Sequence, residues 1–197
     1  MKHILKPALS LFIIAAISTV LLGLVRDVTL APIENQRKKT LEATMKAVLN
    51  DASEFREISA EKTGSIVRIF EGHSGNTLIG YVIELSPAGY SGSINMMTGI
   101  SRVRNEVTGM RVFRHGETPG LGALAVKESF YRKYEGRKPV RLNVVRASPG
   151  ENDIEAITSA TITSKAITGA VNEAIEWYNF READMAANGA SRGAGTR

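Results

Sequence analysis

The strongest constraint on the fold is an apolar stretch near the N-terminus, Pro7 to Val25, which has about the length of a helix that crosses a bilayer. Its only polar side chains are hydroxyls that can bond back to a helix backbone: Ser10, Ser18 and Thr19. A cleaved signal peptide is the competing interpretation. No small-x-small cleavage site closes the stretch, because Leu22 to Val25 leads straight into charge. The sequence therefore favours a retained membrane anchor over residues 1–27.

The charges that flank this anchor do not fix its orientation in the membrane. Lys2 and Lys6 precede the apolar stretch, and a second basic group follows it: Arg37, Lys38 and Lys39. The two groups offset each other, and large domains cross membranes largely regardless of such charges. Sidedness must therefore come from another feature of the chain.

The composition excludes several kinds of site. The chain has 197 residues and no cysteine, so it forms no disulfide and holds no cysteine-ligated iron–sulfur cluster or cysteine-linked haem. Its three histidines, His3, His73 and His115, lie far apart in the sequence and suggest no metal site. The net charge of +5 comes from interspersed acidic and basic residues, which is too weak a balance to indicate nucleic-acid binding.

The rest of the chain predicts one α+β domain. A helical connector is expected over 28–60, with an amphipathic helix at 33–50 that places on one face Leu41, Met45, Val48 and Leu49. Strands are expected at 65–70, 78–85, 93–98, 107–114 and 139–146, with a turn at 71–76, and helices at 123–134 and 165–178. This order favours a mostly antiparallel sheet with flanking helices over 61–182, followed by a disordered tail at 183–197.

The most informative segment for function is the small, hydroxyl-rich run from Ala156 to Ser164, which carries no charge and precedes a helical pattern. The first N–H groups of a helix lack intrahelical partners, and the helix dipole favours an anion there. A threonine at this place is suited to carry a phosphate-bearing group. Considered alone, the run is more typical of a helix N-cap formed by Thr163 or Ser164.

Two glycine-rich loops accompany this run. Gly116 to Gly122 lies between a predicted strand and a predicted helix. Its glycines allow positive φ and close approach to a flat ligand. In the same loop Glu117 can accept a hydrogen bond and Thr118 can donate one. Pro87 to Gly92 is the second loop, and its Tyr90 is able to stack on a planar ring. Each loop considered alone is also typical of a structural turn.

Together these segments resemble a known family. The loop at 87–92, the run 108–112 leading into His115-Gly-Glu-Thr-Pro-Gly-Leu-Gly122, and the threonine run occur in the same order in FMN-binding domains of membrane redox complexes. The resemblance is strongest to the RnfG family, a flavin-carrying component of the Rnf electron-transport complex, and covers residues 4 to about 180. That family also has one N-terminal transmembrane helix followed by a domain of this size.

The resemblance implies a covalent flavin site. The family motif reads Asp-x-x-Ser/Thr-Gly-Ala-Thr, and its last threonine holds FMN through a phosphoester bond. Thr161 takes that position here, Thr158 and Ala160 match the earlier ones, and Glu155 and Ser159 replace the usual aspartate and glycine. Thr163 is the alternative acceptor. The expected cofactor-binding residues are Tyr90, Ser91, Glu117, Thr118, Gly120, Leu121, Gly122, Thr158, Ser159, Ala160 and Thr161.

The function implied is that of an electron-carrier protein without catalysis of its own. By resemblance, its complex moves electrons between ferredoxin and NAD and couples this to ion translocation. The implied partners are other membrane and iron–sulfur subunits and a flavin transferase, with the FMN domain on the extracytoplasmic side of the cytoplasmic membrane. The alternatives are the equivalent flavin protein of the sodium-translocating NADH:quinone reductase and a non-redox anchored binding module.

Overall fold

The structure is a computed structural model that describes residues 2–59 and 63–193. It divides into two units, one ending at Glu42 and the other beginning at Ala43. The first unit is helical, and the second carries all the strands.

Helix α1 runs from Lys2 to Val48. Its part up to Glu42 forms the first unit, and its last residues belong to the second unit. From Pro7 onward α1 is long and apolar enough to cross a membrane, and apolar side chains such as Leu11, Phe12 and Leu22 are about 70% exposed. This confirms the predicted apolar helix. The separate connector helix expected at 33–50 is instead the continuation of α1, because the chain stays helical through Pro32.

The second unit is built on an antiparallel five-stranded sheet in which neighbours in sequence are neighbours in space. Its strands are β1 (Glu54–Ile58), β2 (Ile66–Ser74), β3 (Thr77–Leu85), β4 (Asn95–Ser101) and β5 (Glu106–Arg114). The predicted turn at 71–76 was too wide, since β2 continues to Ser74 and Gly75, at φ +59°, closes a tight turn. β1 was missed because three of its five residues are charged and it lies at the sheet edge.

One face of the sheet packs against helix α3 (Thr161–Gly193) and forms the main core. Alternate residues of β3, namely Tyr81, Ile83 and Leu85, belong to this core and are fully buried. The helix contributes the apolar stripe predicted from its sequence: Ile167, Ala170, Val171, Ala174 and Ile175. The residues that alternate along the strand therefore pack against the residues that recur with the 3.6-residue period of the helix.

The opposite face receives the last turn of α1. Met45, Val48 and Leu49 are buried, as the predicted helix face requires. Beneath them lies a glycine floor, defined as Gly72, Gly99 and Gly109, which lets the helix approach the sheet closely. A Cβ at Gly72 would meet the Leu49 side chain, and one at Gly99 would meet the Val48 carbonyl oxygen. The Thr108 hydroxyl donates a hydrogen bond to that same carbonyl, which has no partner within the ending helix.

The connection after β5 is less regular than predicted. The helix expected at 123–134 is broken into a 3₁₀ turn (Gly122–Val126), the short helix α2 (Glu128–Tyr131) and a second 3₁₀ turn (Arg132–Tyr134). The strand expected at 139–146 is reduced to β6 (Asn143–Val145), which pairs in parallel with β7 (Asp153–Glu155). The strand begins only at Asn143 because the backbone N–H and carbonyl of Leu142 bond to the Asn172 side chain of α3.

Helix α3 differs from its prediction at both ends. It begins at Thr161 rather than at 165, because Ser164 already donates its backbone N–H to the Ala160 carbonyl at 3.0 Å. It also continues to Gly193 through most of the segment predicted as a disordered tail from 183. The alanines of that segment are strong helix formers, which explains the continuation. Residues 194–197 of the predicted tail lie outside the described residues.

Candidate functional site

The two glycine-rich loops and the threonine run converge on one pocket of about 400 Å³. That volume lies in the range of small-molecule and cofactor sites. The pocket is lined by eight of the predicted site residues, Tyr90, Glu117, Thr118, Leu121, Gly122, Ser159, Ala160 and Thr161, together with Ile162 and Thr163. The fold therefore brings together three segments that are far apart in the sequence.

The remaining predicted residues do not line this pocket. Ser91 is exposed and contributes its backbone N–H, which donates to Glu117. Gly120 faces open space. Glycine is favoured there because the backbone is left-handed, at φ +77°. Thr158 lines a neighbouring cavity of about 230 Å³ with Lys133 and Glu155. Sequence reasoning missed Ile162, an exposed apolar residue whose position in the first turn of α3 follows only once the helix start is known.

The start of α3 forms one wall of the pocket. Ser159 adopts a left-handed conformation, at φ +62°, and Ala160 donates its N–H to the Ile157 carbonyl at 2.9 Å. The Ser164 hydroxyl accepts from the Ile157 N–H at 2.9 Å and donates to the Ala160 carbonyl at 3.0 Å. This tight turn leaves the N–H groups of Thr161 to Thr163 at the helix N-terminus without intrahelical acceptors. The wall is thus suited to an anionic group.

The two candidate acceptor threonines have different environments. The Thr163 side chain is 1% exposed, and its hydroxyl donates a hydrogen bond to Glu117 Oε2 at 2.6 Å. Thr161 is half-buried at the pocket, and its hydroxyl forms no hydrogen bond within the described part of the chain. Of the two hydroxyls, that of Thr161 is therefore the more accessible from the pocket.

Glu117 is a buried carboxylate in the pocket wall. Its Oε1 accepts from the Ser91 N–H at 3.0 Å, and its own N–H donates to His115 Nδ1 at 3.2 Å. Burial favours a higher pKa for Glu117, but hydrogen bonds from the Thr163 hydroxyl and from the backbone N–H groups of Ser91 and Tyr90 outweigh it. The pKa of Glu117 is lowered as a result, and the carboxylate is ionised at neutral pH.

Two glycines make room for this carboxylate. A Cβ at Gly122 would collide with Glu117 Oε2 and lie 2.7 Å from the Thr163 Oγ1. A Cβ at Gly89 would collide with Glu117 Oε1. Both positions require glycine for close approach. The glycine-rich loops therefore fit around the protein's own carboxylate, a role that their sequences did not indicate.

A pair of basic residues holds the strand that leads into the threonine run. Lys133 Nζ donates to the backbone carbonyl of Glu155 at 3.1 Å and to its Oε2 at 3.2 Å. Arg137 donates to the carbonyls of Glu151 and Asp153. Glu155, which replaces the usual aspartate of the motif, thus has a cationic partner. Within residues 2–59 and 63–193 no cluster of residues is suited to hold a metal ion.

Comparison with known proteins agrees with this architecture. Residues 89–176 match the FMN-binding domain family, and residues 1–48 match the RnfG N-terminal region. The chain is 34% identical over 193 residues to the G component of the Na⁺-translocating ferredoxin:NAD⁺ oxidoreductase complex of Acetobacterium woodii, covering 90% of this chain and 92% of that protein. It is 33% identical to the proton-translocating counterpart of Clostridium ljungdahlii, covering 85% and 87%.

A solved structure is also similar, that of the C component of the Na⁺-translocating NADH-quinone reductase of Parabacteroides distasonis. The similarity covers 54% of this chain and 57% of that one, at 25% identity and a TM-score of 0.46.

The pocket lies in an FMN-binding domain, which follows a helix able to anchor the chain in a membrane. The chain belongs to the RnfG family, whose members are components of ion-translocating oxidoreductase complexes. The resemblance predicted from the sequence is confirmed, and it holds over the alternative of the quinone-reductase protein. The FMN-binding domain also argues against a non-redox binding module.

Proposed function

We propose that this protein carries FMN on Thr161 through a phosphoester bond and relays electrons within an ion-translocating ferredoxin:NAD⁺ oxidoreductase complex. The observation that carries the proposal is the position of Thr161, whose half-buried hydroxyl lies in the pocket at the N-terminus of α3. A phosphate on that hydroxyl would lie at the start of α3, where the first N–H groups of a helix lack intrahelical acceptors and the helix dipole favours an anion.

The pocket fits the rest of the cofactor. Tyr90, Leu121 and Ile162 offer apolar surface at its rim, and Thr118 offers a hydroxyl. Gly122 leaves room for the Glu117 and Thr163 side chains beside the pocket, and Gly120 supplies the left-handed turn of the loop at φ +77°. When bound, FMN supplies one- or two-electron redox chemistry, and the protein supplies orientation and electrostatics. A covalent bond keeps the carrier in place on the extracytoplasmic side, where free FMN would diffuse away.

The partners follow from the relatives, which are named as subunits of ion-translocating complexes. We expect this chain to exchange electrons with other membrane and iron–sulfur subunits and to receive its FMN from a flavin transferase. The anchor lies in the cytoplasmic membrane with the FMN domain outside the cytoplasm. We expect no turnover of a small substrate by this chain alone.

The attachment is tested by denaturing gels of protein produced with the flavin transferase. The wild-type band should stay fluorescent after denaturation, and Thr161→Ala should abolish the fluorescence. Thr163→Val, which keeps the shape of the other candidate, is the matched control and should retain it. Fluorescence that survives in Thr161→Ala but is lost in Thr163→Val would assign the bond to Thr163 instead.

A further inference from the structure

Among the residues that the structure describes, Glu117 is the one predicted cofactor-binding residue whose side-chain oxygens already accept hydrogen bonds from the protein. Its side chain lines the pocket yet is only 6% exposed. Oε1 accepts from the Ser91 N–H, and Oε2 accepts from the Thr163 hydroxyl at 2.6 Å. A carboxylate held in this way has little capacity left to bind a ligand directly.

The carboxylate is also a negative charge without a salt-bridge partner. Glu117 forms no ion pair among the residues that the structure describes, although twelve such pairs join other side chains there. Hydrogen bonds from neutral groups, with a smaller coulombic contribution from His115, lower the pKa of Glu117 and keep it charged. Because two segments hold it, the carboxylate cannot turn away from the pocket.

We propose that Glu117 is a redox-tuning residue, whose fixed negative charge in the pocket wall makes bound FMN harder to reduce. This inference rests on the proposed function, since it requires FMN in the pocket. Full reduction transfers two electrons from the redox partner and one proton from solvent to the flavin, leaving one extra negative charge on the ring. A fixed carboxylate at a poorly solvated wall raises the free energy of that charged state.

A structural role for Glu117 must be separated from this electrostatic one, because the residue joins the Ser91 loop to the first turn of α3. Two substitutions separate them. Glu117→Gln keeps the length and shape of the side chain but removes its charge. Glu117→Asp keeps the charge but shortens the side chain and weakens both hydrogen bonds. An electrostatic role predicts the larger effect for glutamine, and a structural role predicts it for aspartate.

The experiment is a reductive titration of the full-length protein, produced with the flavin transferase and purified in detergent, at pH 8 with mediator dyes. Denaturing-gel fluorescence first establishes covalent FMN in each sample. We expect Glu117→Gln to shift the midpoint potential to more positive values. At a fixed potential the ratio of reduced to oxidised FMN should rise on the order of tenfold, as for the loss of a unit charge at a protein-like effective dielectric. Glu117→Asp should shift it less. Glu128→Gln, at a side chain 58% exposed, is the surface control and should leave the potential unchanged.

An unchanged potential in Glu117→Gln, or a larger shift in Glu117→Asp, would overturn the proposal. If Glu117→Gln does not fold, Glu117→Ser decides, because it also removes the charge, with a smaller neutral side chain. A midpoint potential more positive than that of the wild type at pH 8 then supports the electrostatic role, and an unchanged potential overturns it. Absence of covalent FMN in the wild-type protein is a different result, which would contradict the proposed function rather than the role of Glu117.

Discussion

Glu117 and Thr163, which are 46 positions apart in the chain, are joined by a 2.6 Å hydrogen bond from the threonine hydroxyl to the carboxylate. This contact ties the glycine-rich loop to the first turn of α3, next to the proposed flavin-bearing threonine. It also buries the Thr163 hydroxyl in a hydrogen bond, which favours Thr161 as the proposed acceptor. The geometry of the pocket therefore depends on an interaction between two of its own walls.

Gly122→Ala should disrupt this contact. The added methyl group would collide with Glu117 Oε2 and crowd the Thr163 hydroxyl. We expect a loss of about 1–3 kcal/mol in the free energy of unfolding, as for other overpacked sites, measured by urea denaturation. Gly169→Ala in α3 is the matched control, because nothing lies within 4 Å of its added Cβ. It should stabilise the protein by about 0.5–1 kcal/mol, since alanine is favoured over glycine in a helix.

Acid should weaken the domain partly through Glu117. Its folded pKa is lowered below the unfolded value of about 4.3, so its contribution to stability is complete above that value and is lost as the pH falls through the folded pKa. Glu117→Gln lacks this titration. The difference in urea midpoint between wild type and Glu117→Gln should therefore be largest at neutral pH and shrink below about pH 4. A constant difference down to pH 3 would contradict the lowered pKa.

Thr108→Val should loosen the last turn of α1 from the sheet. It removes the hydroxyl that donates to the Val48 carbonyl and leaves that buried acceptor unsatisfied. A loss of about 1 kcal/mol or more in the free energy of unfolding is expected. Thr77→Val, at an exposed threonine at the start of β3, should stay within about 0.5 kcal/mol of wild type. Equal effects at the two positions would mean that the helix end contributes little.

Tyr90→Ala tests whether the flavin ring lies under the tyrosine, which is 71% exposed at the pocket rim. Covalent FMN should remain, because Thr161 still holds it, while flavin fluorescence of the folded protein rises as stacking is lost. Gly120→Val should act in the same direction through backbone strain at φ +77°, and not through a collision. Phe180→Ala, at a similarly exposed aromatic residue outside the pocket, is the control and should not change the spectrum.

The proposed topology is testable because the chain has no native thiol. Ser191→Cys should react with a membrane-impermeant thiol reagent in intact cells whose outer barrier has been opened. Lys2→Cys, on the other side of the apolar stretch, is the paired control and should react only after lysis. Labelling of Ser191→Cys only after lysis would place the FMN domain in the cytoplasm.

The sequence predicted those features that depend on local pattern or on motif. The apolar part of α1, the inner strands and the stripe on α3 follow from periodicity, and the threonine run and glycine-rich loops identified the pocket. Contacts between distant segments were not predictable. Nothing in Gly116 to Gly122 shows that its glutamate will bond Thr163. The sequence also did not predict the charged edge strand β1 or the alanine-rich end of α3. The reason is different, because the composition of each segment fits a loop or a tail equally well.

The glycine floor determines where the domain can be separated from the membrane by proteolysis. A cut before Ala43 would release a soluble fragment that keeps Met45, Val48 and Leu49 on the sheet. A cut after Leu49 would instead uncover the floor and the buried side chains around it, including Phe70 and Met97, and such a fragment would aggregate. The final turn of the anchor helix thus belongs to the folding unit of the flavin domain. Proteolysis that releases this domain in its folded state must therefore cut the chain before that turn.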